Sequence, residues 1–385
     1  MRLTRRSALA AVPALGGVSG CARLRGPIGD CSLGRVTGSW AQPGGGPGHA
    51  GHRPDAAGPP DPGVAWETTV ADAGSPRIAG IAVFDGTLYV LGVERPDEDP
   101  DGFHRAYDAA TGAPAGGGIN SDEAVRSPPA VTDGGVLHAA RDDDGTSIAV
   151  SGLRREYPLG REAGGREVAA PAVDGGRVVA GSLGGGVVSF DMDGGFGWRR
   201  TLDGRIRSPV ALADGTAYVA AGDGGLHALR LADGTTRWRD DRRAIGPPVA
   251  AGGTVTVRDG RRLRAFDPDG TERWTAGAFG DGTSPPAVTG DAVYHVDGTH
   301  AYCRRLADGS ERWRRPVEAP ARRQPLVGDD HLFVPEIGGV TAFALPYGER
   351  RWQVDGTPVA APALVGDALF CPAADGRVRA IGACE

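Results

Sequence analysis

Short apolar runs separated by Asp-Gly, Gly-Asp or Gly-Gly pairs recur along most of the chain. Residues 210–221 are typical, because an apolar run meets Asp214-Gly215 and then resumes as Ala-Tyr-Val-Ala. Asp and Gly tolerate the positive φ of tight turns between twisted strands, so this pattern predicts a β-hairpin. Two more turn pairs follow in the same unit, at Asp223-Gly224 and Asp233-Gly234. Three turns predict four antiparallel strands in each unit.

The unit repeats with a period of about 40 residues. Five copies open with a proline in an apolar run and close on a tryptophan. The prolines are Pro171, Pro209, Pro247, Pro285 and Pro325, and the tryptophans are Trp198, Trp238, Trp274, Trp313 and Trp352. Further units open at Pro76, Pro128 and Pro362. A steady period of this length, filled with short alternating strands, predicts the blades of a β-propeller.

The two ends of the chain complete the count of blades. Trp66 precedes the first proline without a unit of its own, and the unit that opens at Pro362 has no closing aromatic residue. Eight openings match eight closings only if the chain closes on itself, so a strand at 65–70 is expected to complete the last blade. Residues 64–385 are therefore predicted to form an all-β, eight-bladed β-propeller of four-stranded antiparallel blades, closed by the N-terminal strand.

The recurring tryptophans, including Trp66, invite two interpretations. They could form an aromatic cage for a ligand, but their fixed place in the outer strand of each blade favours packing between neighbouring blades. Arginines flank them repeatedly, as at Arg237 and Arg239. With a period of two, these arginines point outward, where charge opposes edge-to-edge pairing with another sheet.

The first 63 residues differ from the repeats. Arg5-Arg6 is followed by an apolar stretch over 8–18, which is too short to span a bilayer, and then by Cys21. Residues 1–20 resemble a twin-arginine export signal with a lipobox, in which Cys21 becomes lipidated and holds the protein at the outer face of the cytoplasmic membrane. A plain secretory signal with an incidental cysteine is the alternative. Residues 21–63 are rich in Gly, Pro, His and Arg, and are predicted to be a flexible tail outside the ring.

Charge and cysteine content narrow the class of protein. The net charge is −6 and all 42 basic residues are arginine, which gives no case for a nucleic-acid partner. Besides Cys21, four cysteines remain, a number compatible with disulfides in an exported protein. Circular closure would bring the tail near the C-terminus, so Cys31 and Cys384 are a candidate pair. Cys303 and Cys371 are interpreted as small buried hydrophobic residues.

Candidate metal ligands are few. Asp97, Asp99 and Asp101 match the start of a calcium loop, in which oxygen ligands alternate along the chain. A solvated acidic loop is favoured there, because Asp108, the twelfth position, also belongs to a blade turn. His49 with His52, and His295 with His300, offer two ligands without a third, a set that rarely holds zinc. No metal site and no catalytic residues are therefore predicted.

The leader, the Gly- and Pro-rich stretch after Trp40, and blade ends such as Asp108-Ala-Ala-Thr-Gly112 together resemble the prokaryotic pyrroloquinoline-quinone-repeat propellers. These include the propeller lipoprotein of the outer-membrane β-barrel assembly machine and haloarchaeal lipoproteins of similar build. The resemblance implies a non-catalytic, lipid-anchored scaffold without a cofactor, which binds another extracytoplasmic protein or a surface polymer. The alternative is an enzyme like the quinone-dependent dehydrogenases, whose adjacent cysteines, acidic calcium ligands and long inserts are not recognisable in this sequence.

Overall fold

The computed structural model describes residues 31–34, 36–70, 76–94, 102–116, 119–121, 124–141, 146–151, 155–158, 168–277, 284–321, 323–356 and 358–384. The predicted signal, Cys21 and the acidic loop at 97–101 lie outside these residues. The described chain forms eight antiparallel sheets arranged as the blades of a ring, which confirms the predicted eight-bladed β-propeller. Nothing helical in this part of the chain has the length and apolarity needed to cross a membrane.

The strands are numbered in chain order, and the blades follow the same order. Blade 1 contains β3 (Arg77–Phe84), β4 (Thr87–Val93), β5 (Gly102–Asp108) and β6 (Ile119–Ser121). Blade 2 contains β7 (Ala124–Val125), β8 (Ala130–Thr132), β9 (Gly135–Arg141), β10 (Thr146–Ser151) and β11 (Arg155–Pro158). Blade 3 contains β12 (Ala172–Asp174), β13 (Arg177–Gly181), β14 (Gly186–Asp191) and β15 (Phe196–Thr201). Blade 4 contains β16 (Ala211–Ala213), β17 (Thr216–Ala220), β18 (Leu226–Arg230) and β19 (Thr236–Asp240).

The second half of the ring repeats this layout. Blade 5 contains β20 (Ile245–Ala251), β21 (Thr254–Arg258), β22 (Leu263–Phe266) and β23 (Glu272–Ala276). Blade 6 contains β24 (Ala287–Val288), β25 (Ala292–Val296), β26 (His300–Arg305) and β27 (Glu311–Pro316). Blade 7 contains β28 (Leu326–Val327), β29 (His331–Glu336), β30 (Gly339–Ala344) and β31 (Glu349–Asp355). Blade 8 contains β32 (Ala363–Val365), β33 (Ala368–Pro372), β34 (Arg377–Cys384) and β2 (Pro62–Thr69), with β1 (Cys31–Ser32) also paired to β34.

Burial distinguishes the middle strands of a blade from its outermost strand. The middle strands are buried on both faces, as in β21, where all five residues are buried. The outermost strand alternates instead: in β23, Trp274 and Ala276 are buried while Glu272, Arg273 and Thr275 are exposed. Alternation of this kind is expected where one face of a strand packs on a neighbouring blade and the other meets water.

The ring closes through the N-terminal strand. β2 pairs antiparallel with β34, and Trp66 lies opposite Ala380. The pairing begins at Pro62, three residues before the expected strand. Cys31 and Cys384 lie opposite each other in β1 and β34, and their Sγ atoms form a disulfide of 2.07 Å. The closure therefore joins residues from opposite ends of the chain, and the two cysteines are 353 positions apart.

The repeated tryptophans lie between adjacent blades. Each indole N–H donates to a backbone carbonyl of the next blade, at 2.6–3.3 Å, and each ring stacks on a glycine of the turn before the outer strand of that blade. The donor and glycine pairs are Trp66 with Gly112, Trp198 with Gly234, Trp238 with Gly270, Trp274 with Gly309, and Trp313 with Gly348. A Cβ atom on any of these glycines would lie 2.5–2.7 Å from the indole ring, so only glycine permits the stacking.

Trp352 shows how blade 8 replaces the missing turn. In blade 8 the outermost strand, β2, comes early in the chain and its neighbour, β34, is the last strand. No turn therefore connects β34 to β2. The Trp352 indole N–H donates instead to the carbonyl of Pro59, at 3.1 Å. Pro59 lies just before β2, and therefore supplies the carbonyl that a turn supplies in the other blades.

Candidate functional site

Residues 40–58, here called the central segment, occupy one end of the channel at the axis of the ring. Trp40 is 3% exposed, Gln42 is 5% exposed and His49 is 2% exposed. The prediction of a flexible tail outside the ring is therefore wrong for this part of the chain. Its residues are ordered because they meet the innermost strands, whose inward edges would otherwise face the channel without partners.

The central segment meets the blades in their order around the ring. In seven blades, the residue at the same place near the end of the innermost strand donates its backbone N–H to this segment, at 2.7–3.1 Å. The donor and acceptor pairs are Val83 with Trp40, Val131 with Ala41, Val173 with the Gln42 side chain, Leu212 with Pro47, Ala250 with Gly48, Val288 with Ala50, and Val327 with Gly51. In blade 8 the hydrogen bond runs in the opposite direction. The backbone N–H of Gly58, in the central segment, donates to the carbonyl of Gly366 at 3.4 Å.

Small residues allow the central segment to approach the blades so closely. A Cβ atom at Gly48 would lie 2.2 Å from the carbonyl oxygen of Ala250. Gly51 and Gly58 adopt φ values of 65° and 73°, which favour glycine. The same composition is typical of linkers, which is why sequence reasoning missed this role. The available signal was Trp40 and Gln42, two large residues in a stretch of small ones.

The histidines of the predicted two-ligand sets serve packing. His49 is enclosed at the axis, where burial lowers its pKa to about 4, opposed by the carbonyl of Pro248. His295 does not face His300: it lies opposite Tyr302, and it accepts a hydrogen bond from Arg304 at 3.1 Å. Within the ranges that the structure covers, no group of three or more His, Cys, Asp or Glu side chains is arranged to hold a metal ion.

The other end of the channel, here called the open mouth, contains a cavity of 510 Å³. Pro43 of the central segment lies at its floor, and the starts of the innermost strands form its walls. Ile78, Val168 and Ile206 are buried in these walls. Three arginines also line the cavity: Arg77, Arg126 and Arg207.

A second cavity of 760 Å³ adjoins the first between blades 4 and 5. The two cavities are adjacent, because Arg207 and Pro209 line both of them. Arg205 and Arg243 also line the second cavity, where Arg243 forms an ion pair with Asp223 at 3.2 Å. We call this region the arginine groove, defined by Arg77, Arg126, Arg205, Arg207 and Arg243.

The local charge of the arginine groove is opposite in sign to the net charge of the protein. Its described lining has five arginines and one aspartate, whereas the whole chain has a net charge of −6. A cleft lined mostly by charges of one sign focuses the local electrostatic field, so anionic groups are attracted to the groove. The arginines that flank the blade tryptophans, which drew attention in the sequence, lie on the outer strands and take no part in this groove.

A third cavity, of 510 Å³, lies at the outer side of the closure between blades 7 and 8. Its lining combines Asp61 and Asp330 with Arg351 and His331. His331 is paired with Asp330 at 2.5 Å. This lining carries charges of both signs and lacks the single sign that distinguishes the arginine groove, so the third cavity is the weaker candidate for a binding site.

Two kinds of chemistry can be checked against the described residues: nucleophilic attack by a cysteine thiol, and binding of a quinone through a metal ion. Burial raises the pKa of the Cys303 thiol to about 11 and that of the Cys371 thiol to about 12, so both remain protonated at neutral pH. The arginines of the groove could pair with a carboxylated quinone. A metal-bound quinone also requires a cluster of acidic ligands, which the described lining does not provide. The described residues therefore do not fit a metal-bound quinone.

Comparison with known proteins gives related sequences and folds. The outer membrane protein assembly factor BamB of Nitrosomonas eutropha is 24% identical over 232 residues, which cover 54% of this chain and 55% of that protein. The match thus spans about half the length of this relative. The crystal structure of BamB from Moraxella catarrhalis has a TM-score of 0.63 at 15% identity, and the alignment covers 83% of this chain and 97% of that chain.

A quinone enzyme shares the fold as well. Quinohemoprotein alcohol dehydrogenase from Comamonas testosteroni has a TM-score of 0.67 at 14% identity, over 90% of this chain and 81% of that chain. Identities this low show a common architecture and do not transfer an activity.

A family model identifies the lineage of the repeats. It matches residues 134–260, 244–305 and 258–383, which together span more than half of the chain and reach from blade 2 to blade 8. The matched residues contain four of the five stacked tryptophan and glycine pairs, all except Trp66 with Gly112. The chain belongs to the PQQ-repeat β-propeller family that is described as outer membrane protein assembly factor BamB.

Proposed function

We propose that the protein is a non-catalytic scaffold, exported and held by a lipid on Cys21 at the outer face of the cytoplasmic membrane. Its propeller binds another extracytoplasmic protein or a surface polymer at the open mouth. One observation carries this proposal: the chain fills one end of its own channel and leaves a groove of five arginines at the other. A rigid ring with one prepared end is suited to hold a partner.

The family supports a scaffold over an enzyme. The relatives from Nitrosomonas eutropha and Moraxella catarrhalis are called BamB, and the former is named an outer membrane protein assembly factor. An assembly factor acts by binding other components. The elevated thiol pKa values of Cys303 and Cys371 are consistent with structural cysteines in such a protein.

Affinity capture from membranes tests the scaffold role. The lipidated protein is cross-linked in membranes and purified, and the proteins and polymers that accompany it are identified. We expect a stoichiometric partner that is retained after washing at high salt only when it is cross-linked, because exposed charged contacts are screened by salt. Recovery of the protein without any partner under cross-linking would contradict the proposal.

The lipid anchor has its own test. Mass spectrometry of the mature protein is expected to show an N-terminus at a lipid-modified Cys21. The Cys21→Ser variant is expected to leave the membrane fraction. An intact Met1, or a mature Cys21 without lipid, would contradict the anchor while leaving the binding role of the propeller intact.

The second candidate function is that of a quinone-dependent dehydrogenase, favoured by the fold shared with quinohemoprotein alcohol dehydrogenase. Titration of the purified protein with pyrroloquinoline quinone and calcium separates the two functions. We expect neither saturable binding nor dye-linked oxidation of alcohols. A stoichiometric complex with activity would favour the enzyme.

A further inference from the structure

Three of the groove arginines have no ion pair within the described chain. Arg77, Arg205 and Arg207 are exposed and form no ion pair with any described residue. Arginine carries five N–H donors in a planar fork that matches a carboxylate in a two-bonded geometry. Several such side chains around one groove form a receptor for several carboxylates in a row.

The walls of the groove add an apolar requirement. Pro209 and Val359 are half-buried in the lining of the first cavity, and Ile245 and Pro247 are half-buried in that of the second. An anionic polymer such as a glycan or polyphosphate has no apolar side chains to place against these residues. A peptide chain with alternating acidic and apolar residues meets both the arginines and the walls.

We propose, resting on the function proposed above, that the open mouth binds an acidic segment of a partner protein, in which carboxylates alternate with apolar side chains. Arg207 is the central contact, because it borders both cavities. Arg77 contacts the part of the segment that enters the channel, and Arg205 the part that leaves between blades 4 and 5. The central segment limits how far the peptide enters, since Pro43 closes the floor of the first cavity.

Binding of a defined peptide tests this proposal without knowledge of the partner. The probe is a fluorescein-labelled peptide of alternating glutamate and leucine, and its affinity for the mature, full-length protein is measured by fluorescence anisotropy. The comparison peptide has lysine in place of glutamate. We expect saturable binding of the glutamate peptide only, and weaker binding as salt is raised, since the contacts are charged and exposed.

Charge reversal in the groove supplies the residue-level test. Arg207→Glu is expected to lower the affinity for the glutamate peptide at least tenfold, equivalent to about 1.4 kcal/mol of binding free energy. Arg237→Glu is the matched control, because Arg237 is exposed on the outer strand of blade 4, away from the groove. That variant is expected to change the affinity less than about twofold. If Arg207→Glu fails to fold, Arg205→Gln is used, with weakening again expected.

Three results would overturn the proposal: no binding of the glutamate peptide, equal binding of the lysine peptide, or unchanged affinity in Arg207→Glu. Heparin is added as a competing polyanion. Strong binding of heparin without binding of the peptide would assign the groove to a polymer and refute the peptide. If the peptide fails while membrane capture still yields a partner that Arg207→Glu does not release, the scaffold function stands and its binding surface lies elsewhere.

Discussion

The two ends of the channel differ in the partners of their polar groups. At the closed end, backbone N–H groups of seven innermost strands donate to the protein's own central segment, through residues as small as Gly48. At the open mouth, long arginine side chains surround a groove, and the described chain offers Arg77, Arg205 and Arg207 no ionic partner. One ring can thus separate stability from binding, because the filled end contributes to folding and the open end retains arginines without ionic partners among the described residues.

The largest effect is expected at Trp40, in the closed end. Trp40 is 3% exposed and exchanges two backbone hydrogen bonds with Val83. Trp40→Ala is expected to lower the free energy of unfolding by about 3–5 kcal/mol, the range for large-to-small substitutions in a core. Urea unfolding measures it, with Trp66→Ala as a blade tryptophan for comparison. A Trp40→Ala midpoint equal to that of the wild type would mean that residues 40–58 are not part of the folded core.

Acid is expected to destabilise the closed end through His49. Its pKa is about 4 when folded and 6.5 when unfolded, so the unfolded chain binds the proton first. Stability is therefore lost as the pH falls from about 6.5 towards 4, by up to about 3 kcal/mol. The His49→Asn variant removes this titration and keeps a residue that tolerates the positive φ of 56° at this position.

Unfolding free energies of wild type and His49→Asn are compared between pH 7 and pH 4. The loss on acidification is expected to be smaller in the variant. It does not vanish, because His104 and His138, with pKa values lowered to about 4 and 3, titrate in both proteins. Parallel pH profiles would contradict the burial of His49 at the axis.

A pair of glycines tests how closely the central segment lies against the blades. Gly48→Ala would place its Cβ atom 2.2 Å from the Ala250 carbonyl oxygen, whereas a Cβ atom at Gly46 meets nothing within 4 Å. Gly48→Ala is expected to cost about 1–3 kcal/mol of stability, as overpacking does. Gly46→Ala, the matched control, is expected to change little. Equal unfolding midpoints for the two variants would contradict the close approach.

The smallest effect on stability is expected at the open mouth. Arg207→Glu replaces an exposed side chain that has no ionic partner among the described residues, so its unfolding free energy is expected to stay within about 0.5 kcal/mol of the wild type. The same variant is expected to lose peptide binding. A large loss of stability in Arg207→Glu would show that the mouth also supports the ring, and that the two ends are not separated in role.

The sequence predicts the blades because their signals are local and repeated. A turn such as Asp214-Gly215, with φ values of 47° and 66°, needs residues that adopt positive φ, and each tryptophan except Trp40 marks one blade. The closure by β2 follows from counting openings and closings. The central segment escapes this reasoning, since its contacts are distant in sequence: Gln42 and Val173 are 131 residues apart, and His49 and Gln324 are 275 apart.

The arginine groove also escapes sequence reasoning, for a different physical reason. Arg77, Arg126 and Arg207 are widely separated in the chain and converge only because the starts of the innermost strands meet at the axis. The arginines beside the blade tryptophans repeat regularly and therefore attract attention first. The regularly spaced tryptophans pack between blades, whereas Arg126 and Arg207, each two residues before an opening proline, line the candidate binding site.

Cross-linking from each end of the channel tests most directly the claim that the partner binds at the open mouth. A photoreactive amino acid is placed at Leu183, which lines the first cavity, or at Asp133, an exposed residue in a turn at the closed end. Both proteins are irradiated in membranes, and their adducts are compared. We expect a partner adduct from position 183 that Arg207→Glu abolishes, and none from position 133. A specific adduct from position 133 alone would contradict this expectation.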